Sequence, residues 1–115
     1  MTYEVNYVGG IDQYMAFTNK SSKKTINYIT IKMQFYNKVG DIIKDDVSNK
    51  DYALLYYTGP IKPGKTTSKA YWRACFYNST FSGTIHLEEI KIEYSDGSVL
   101  ILDDSVASEV VKAWR

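Results

Sequence analysis

The sequence predicts one all-β domain of about seven to eight short antiparallel strands, arranged as a sandwich or a barrel. Strand-forming residues dominate the chain of 115 residues, of which 15% are aromatic and 11 are tyrosine. Apolar and polar side chains alternate over residues 28–36 with the period of a strand. Turn signals recur at short intervals, and no internal repeat or linker divides the chain.

The N-terminal half contains the clearest strand. Gly9-Gly10 separates two predicted strands, at residues 3–8 and 11–18, and residues 19–24 form a polar loop. In residues 28–36 the apolar side chains share one face, which predicts a strand buried on that side only: Ile29, Ile31, Met33 and Phe35. Residues 37–41 then predict a hairpin turn, with Gly40 supplying a positive φ.

The C-terminal half contains further turn signals. Gly59-Pro60 and Pro63-Gly64 are expected to bracket a short connection. The alternation over residues 85–94 changes phase near Glu88-Glu89, which predicts either a β-bulge or a strand that begins near Glu89. Asp96-Gly97 predicts a hairpin that joins residues 90–94 to residues 99–102.

Only the C-terminus has the pattern of a helix. Asp103-Asp104-Ser105 could cap its start, and apolar residues recur at helical spacing up to Trp114. A helix this short needs to dock on the rest of the chain or on a partner. We therefore expect a β domain over residues 1–102 and a helical tail over residues 103–115 that belongs to the same domain.

Several short motifs resemble a known group of domains. Residues 25–31, Thr-Ile-Asn-Tyr-Ile-Thr-Ile, with residues 35–41, Phe-Tyr-Asn-Lys-Val-Gly-Asp, resemble FxLYD-type domains. The chain is more similar to a related group of bacterial domains of unknown function from Gram-positive gut organisms. The shared motifs continue with Thr-Gly-Pro-Ile-Lys-Pro-Gly at 58–64, Trp72, Phe-Tyr-Asn-Ser-Thr at 76–80 and Ile-Glu-Tyr-Ser-Asp-Gly at 92–97. Phe76 stands where the group has Trp.

The resemblance spans about residues 11–101 and implies an immunoglobulin-like antiparallel β-sandwich. It implies an accessory module of a secreted protein or lipoprotein, with no known catalytic residues and no settled function. The expected location is therefore extracytoplasmic, with secretion or membrane anchoring through a segment outside this sequence. If Met1 is the native start, the location would be cytoplasmic, because residues 1–5 lack the features of a signal peptide.

Composition argues against nucleic-acid binding and against a membrane-spanning segment. The formal net charge is +1, from 14 basic and 13 acidic residues, so the chain lacks the basic field that nucleic-acid binding usually needs. No apolar run approaches the roughly 20 residues of a membrane-spanning helix. We expect neither a nucleic-acid partner nor a transmembrane segment.

Catalytic and metal-binding motifs are equally sparse. His86 is the only histidine and Cys75 the only cysteine, so neither a His-based metal triad nor a second thiol exists. His86 is expected as a surface or half-buried residue of a strand, and Cys75 as a small buried apolar residue, although Arg73 could activate its thiol. Asp41 and Asp45 could bind calcium, but solvated carboxylates are favoured. We expect no enzyme, no metal and no cofactor.

Tyrosines provide the remaining indication of function. Tyr14, Tyr28 and Tyr36 are expected opposite the buried face. The candidate binding aromatics are Tyr52, Tyr56, Tyr57, Tyr71, Trp72 and Tyr77. Aromatic side chains recur at protein interfaces and also fill cores, so each of them could have either role.

Two functions fit this composition. The favoured one is a binding or spacer module that contacts a protein partner through a tyrosine-rich face or a sheet edge. The alternative is a carbohydrate-binding module that recognises a cell-wall or dietary glycan through exposed aromatics. A homodimer could form through a sheet edge or through the C-terminal tail.

Overall fold

The computed structural model describes residues 2–5, 10–45, 49–68, 70–76 and 81–103, with side chains at 14–45, 49–68, 70 and 85–103. The described residues contain seven strands and no helix, so the all-β prediction is confirmed. The strands are β1 (Thr2–Val5), β2 (Gly10–Met15), β3 (Ile26–Asn37), β4 (Ala53–Ile61), β5 (Ala70–Phe76), β6 (Phe81–Tyr94) and β7 (Val99–Asp103).

The strands form two antiparallel sheets. One has three strands in the order β1-β2-β5, and the other has four in the order β4-β3-β6-β7. The twelve-residue strand β3 lies inside the larger sheet, where Ile31 is opposite Leu55 of β4 and Ile90 of β6. β4 and β7 are its edge strands within the described part of the chain.

The core lies on one face of the four-stranded sheet. Ile29, Ile31, Met33 and Phe35 are all buried, as the alternation predicts, and Leu55, Leu87 and Ile90 pack with them. Met15 from β2 and Phe17 just after it belong to the same cluster. This shared cluster joins the end of the smaller sheet to the larger one, and the described residues on the other face of β3 are exposed or half-buried.

The predicted β-bulge is present in β6. Lys32 is opposite Glu89, whereas the next residue, Met33, is opposite Leu87, so Glu88 is the additional residue. β6 begins at Phe81, and the possibility of a strand beginning near Glu89 was therefore wrong. The bulge returns both halves of the long strand to the core face, with Leu87 and Ile90 buried.

The Asp96-Gly97 hairpin is also confirmed, because Glu93 of β6 is opposite Val99 of β7. Gly97 has φ of 87°, the conformation that glycine adopts without strain. Asp96 accepts hydrogen bonds from the side-chain hydroxyl and the backbone N–H of Ser98. These two bonds, together with the Lys24 ammonium 3.6 Å away, hold the pKa of Asp96 below its usual value.

Residues 37–41 form a turn but do not join two long strands. Asn37 Oδ1 accepts hydrogen bonds from the N–H groups of Val39 and Asp41, and Gly40 has φ of 90°. The chain returns only as far as a single bridge between Tyr36 and Ile42. The predicted turn with Gly40 at positive φ is therefore present, and no long second strand follows it directly, because β4 begins only at Ala53.

The expectation that Gly59-Pro60 marks the start of a connection was wrong, since both residues lie inside β4. Proline removes a backbone donor, and strands tolerate that loss at a sheet edge, where β4 lies in the described structure. Only glycine fits at position 59, because backbone atoms of Ile26 and Ile61 lie close to it. A Cβ atom there would overlap the carbonyl oxygen of Ile26 and would lie 2.9 Å from Ile61 N.

A buried asparagine connects this end of β4 to the loop at residues 19–24. The Asn19 side chain is only 1% exposed. Its Nδ2 donates to the carbonyl oxygens of Lys24 (2.8 Å) and Ile61 (2.9 Å), and its Oδ1 accepts from Ser21 N (3.0 Å). Both N–H groups of the Asn19 amide and its oxygen are thus hydrogen-bonded, as a buried amide requires. The bonds to Lys24 and Ile61 join two segments that are distant in sequence.

The predicted C-terminal helix lies outside the described residues, which end at Asp103. β7 includes Asp103, one residue past the predicted end of the β domain.

Candidate functional site

The outer face of the four-stranded sheet carries exposed apolar side chains. On β4, Leu54 is 40% and Tyr56 is 63% exposed, and on β3 Tyr28 is 50% exposed. These residues point outward because successive strand residues alternate between faces and Ile29 and Leu55 occupy the core face. The same alternation that buries Ile29 and Leu55 therefore exposes Tyr28, Leu54 and Tyr56 to solvent.

The register brings these side chains together. Tyr56 is directly opposite Thr30 and Tyr28 is opposite Thr58, so the two tyrosines are diagonal neighbours across β3 and β4. Diagonal positions in an antiparallel pair are close enough for aromatic side chains to touch the same ligand. Tyr52, half-buried, immediately precedes β4 beside Leu54. We call the surface formed by Tyr28, Tyr52, Leu54 and Tyr56 the tyrosine face.

A lysine borders the tyrosine face on β3. Lys32 is directly opposite Leu54, and its ammonium lies 4.6 Å from the centre of the Tyr52 ring. The same ammonium is 3.5 Å from Glu88 Oε2. Lys32 is thus held between an aromatic ring and a carboxylate, and its alkyl chain extends the apolar surface towards β6.

The bulge residue Glu88 places this carboxylate on the outer face. Its Oε2 is shielded from solvent and accepts no hydrogen bond within the described part of the chain, although the side chain as a whole is 40% exposed. The Lys32 ammonium supplies the opposite charge. Further along β6, Lys91 Nζ lies 4.0 Å from Glu93 Oε1. These pairs bring positive and negative charges together beside the tyrosine face, and the Lys50 ammonium lies 5.7 Å from the centre of the Tyr52 ring.

Of the sequence-predicted aromatics, Tyr57 lies on the opposite face from its neighbour Tyr56. Its ring is 5.0 Å from that of Phe17, with 55° between the planes, and it packs against the buried core. This geometry is typical of aromatic pairs in protein interiors. Tyr57 therefore contributes to packing between segments, while Tyr56 faces solvent.

For the other predicted aromatics, the structure describes the backbone at most. Tyr71 and Trp72 lie on β5, with backbones opposite Tyr14 and Gln13 of β2, in the smaller sheet. Their side chains, and the whole of Tyr77, lie outside the described part of the chain. Tyr52 and Tyr56 are thus the two predicted site residues that the structure brings together.

Two members of the tyrosine face were absent from the sequence-predicted set. Tyr28 could have been included, because the alternation over residues 28–36 already places it opposite the core. Leu54 had no such signal, because it lies in the continuous apolar run Ala-Leu-Leu-Tyr-Tyr at 53–57, which has no apolar-polar alternation to assign its face.

The residues considered for catalysis do not form a cluster in the described structure. His86 is half-buried on β6, where it is opposite Gln34 of β3. Cys75 lies on β5 opposite Ile11. Among the described side chains, no group of three or more His, Cys, Asp or Glu residues could hold a metal ion. What the outer face offers chemically is aromatic and apolar contact area with paired charges beside it.

No protein-family model, curated protein or solved structure matches this chain. None of the described residues belongs to a helix with the length and apolar character needed to cross a membrane.

Proposed function

We propose that the chain is a non-catalytic binding module that contacts a partner protein through the tyrosine face. The observation that carries the proposal is the group of Tyr28, Leu54 and Tyr56, each at least 40% exposed, on one face of the neighbouring strands β3 and β4. Single exposed apolar residues are common on protein surfaces, whereas adjacent ones suggest an interaction site.

The chemistry of the tyrosine face suits a protein interface. Tyrosine presents a large ring with few rotatable bonds and a hydroxyl that remains hydrogen-bonded at the rim. Aromatic side chains are enriched among the residues that dominate binding energy. Lys32, paired with Glu88 at 3.5 Å, would form part of a polar rim. The strands fix the backbone that carries these side chains, which reduces the entropy lost on binding.

We further propose that the domain is an immunoglobulin-like sandwich of seven or eight strands, related to FxLYD-type domains. Two antiparallel sheets and a core shared by Met15, Phe17 and the inner face of β3 support this architecture. In this proposal the chain serves as a binding or spacer module of a bacterial secreted or cell-envelope protein.

Site-specific photo-cross-linking tests the proposed interface. A benzophenone amino acid replaces Tyr56 in one variant and Val39 in the control, and each is irradiated in cells of the source organism. Val39 is a suitable control because it is apolar and 82% exposed but lies in the turn at residues 37–41. We expect a discrete protein adduct from position 56 that position 39 does not form. Equal labelling from both positions, or none from position 56, would refute the interface.

A carbohydrate-binding module is the second candidate, and the diagonal arrangement of Tyr28 and Tyr56 favours it. Two rings on one flat face can stack on successive sugar units. Titration of isotope-labelled protein with soluble peptidoglycan fragments and β-glucan oligosaccharides separates the two functions. A glycan module predicts saturable chemical-shift changes at Tyr28 and Tyr56. The favoured protein-binding function predicts none at these residues.

A further inference from the structure

Positive charge is concentrated in the loops at one end of the larger sheet. Ile26 at the start of β3 is opposite Ile61 of β4 and Tyr94 of β6, so the loops that adjoin these three residues leave the sheet together. These loops are residues 16–25, 62–68 and 95–98. They contain five lysines and a single carboxylate, that of Asp96. We call the group of lysines the lysine end: Lys20, Lys23, Lys24, Lys62 and Lys65.

Backbone hydrogen bonds join the three loops. Lys65 N donates to Lys62 O at 3.0 Å, which closes a β-turn whose first and last Cα atoms lie within about 7 Å of each other. Asn19 N donates to Lys65 O at 2.9 Å, and Ser95 N donates to Thr25 O at 2.9 Å. The lysines are therefore carried by loops that are bonded to one another, and their ammonium groups form one surface.

One of the five lysines is paired with a carboxylate within the described part of the chain. Lys24 Nζ lies 3.6 Å from Asp96 Oδ2 and donates to Ser98 Oγ at 3.0 Å. The other four are exposed and form no ion pair with any described residue: Lys20, Lys23, Lys62 and Lys65. Four positive charges without a described counter-charge thus share one end of the sheet.

The loop at the opposite end of the sheet has no such excess. Residues 38–52, which connect β3 to β4 there, contain three lysines and four aspartates. The formal net charge of +1 for the whole chain therefore conceals a strongly basic end. A charge distribution of this kind orients a molecule towards a negatively charged surface.

We propose that the lysine end binds an anionic lipid surface, with the strands of the larger sheet directed away from the bilayer. Each lysine close to such a surface raises partition by about fivefold. Four uncompensated lysines are therefore sufficient for reversible binding without an inserted segment. This contact uses no side chain of the tyrosine face, so the two surfaces can be tested separately.

The side chains of these loops favour a lipid surface over other polyanions. All five basic residues are lysines, whose flexible point charges suit mobile headgroups, whereas the planar fork of arginine suits carboxylates or phosphates held in fixed positions. The three described loops expose no aromatic ring on which a nucleic-acid base could stack. They also expose no large apolar side chain that could anchor a polypeptide.

Co-sedimentation with lipid vesicles tests the proposal. The protein is mixed with vesicles of phosphatidylcholine alone or of phosphatidylcholine with an equal part of phosphatidylglycerol. We expect partition into the anionic vesicles to be at least about tenfold stronger at about 50 mM salt, and to be mostly lost at about 300 mM because salt screens the charges. Equal partition into the two kinds of vesicle would overturn the proposal.

A pair of double variants locates the contact. Lys62→Gln/Lys65→Gln should weaken partition into the anionic vesicles at least about tenfold, because two of the uncompensated charges are lost. Lys38→Gln/Lys44→Gln removes the same charge from exposed residues at the opposite end and should weaken it less than about twofold. An equal loss in the two variants would show that net charge, and not the lysine end, determines binding.

Soluble polyglutamate distinguishes a lipid surface from an acidic polypeptide. It is added to vesicle-bound protein until its carboxylates equal the anionic lipids in concentration. A lipid surface predicts that most of the protein stays on the vesicles, because the headgroups present a continuous plane of charge to all three loops. Release of most of the protein would instead assign the lysine end to an acidic polypeptide and would overturn the lipid proposal.

Discussion

Replacing Asn19 with alanine is expected to lower the free energy of unfolding by about 3 kcal/mol. The change removes three hydrogen bonds and leaves the carbonyl oxygens of Lys24 and Ile61 without their amide donor in a site where the side chain is 1% exposed. Loss of a partner from a buried polar group costs more than the bond itself contributes. Urea denaturation followed by tyrosine and tryptophan fluorescence measures the effect.

Two further variants test whether the lost amide donor is the cause of the destabilisation. Asn19→Asp keeps the size of the side chain but turns a carboxylate oxygen towards the two carbonyl oxygens, so it should destabilise at least as much as alanine. Lys20→Ala, at the exposed neighbouring position, should change stability by less than about 0.5 kcal/mol. An Asn19→Asp variant as stable as wild type would show that the amide donor does not hold this loop.

Gly59→Ala should lower the free energy of unfolding by about 3 kcal/mol. The new methyl group would overlap the backbone oxygen of Ile26 and lie 2.9 Å from Ile61 N. Backbone atoms cannot move aside as a flexible side chain can, so β3 and β4 would have to separate locally. Thermal unfolding monitored by circular dichroism, together with urea denaturation, measures the loss.

Gly64→Ala is the matched control for this prediction. Gly64 has φ of 75°, and no described heavy atom outside its chain neighbours lies within 4 Å of the position that an alanine methyl group would take. Only backbone strain of about 1 kcal/mol is therefore expected. A larger loss for Gly64→Ala than for Gly59→Ala would contradict the packing described around Ile26.

The sequence contains the local information for much of the larger sheet. Period-two alternation identifies the buried side chains of β3, and the change of phase at Glu88-Glu89 identifies the bulge in β6. Asp96-Gly97 identifies the hairpin before β7. Each of these signals depends on residues close together in the chain, where strand geometry and turn chemistry are strongest.

The features that were missed depend on contacts distant in sequence. Asn19 looks like part of a solvated loop, but its side chain is buried and donates to the carbonyl oxygen of Ile61, 42 residues away. Gly59-Pro60 looks like a turn by local rules. It fits within β4 because that strand is at an edge and its glycine passes close to Ile26.

In the candidate site, too, local geometry determines one part of the arrangement and contacts distant in sequence determine the other. Strand geometry alone requires Tyr56 and Tyr57 to lie on opposite faces. Which of them faces solvent depends on pairing with β3, where Ile29 is opposite Tyr57 and Thr30 is opposite Tyr56. The packing of Tyr57 on Phe17 then assigns the two neighbours to different roles.

The central claim is that Tyr28 and Tyr56 serve binding, and the affinity for the protein cross-linked at position 56 tests it most directly. Isothermal titration calorimetry compares wild type, the double variant Tyr28→Ser/Tyr56→Ser and the exposed control Val39→Ser. We expect at least about a hundredfold weaker binding for the double variant, the effect of losing two interface anchors, and unchanged binding for Val39→Ser. Equal affinity of the double variant and wild type would contradict the claim.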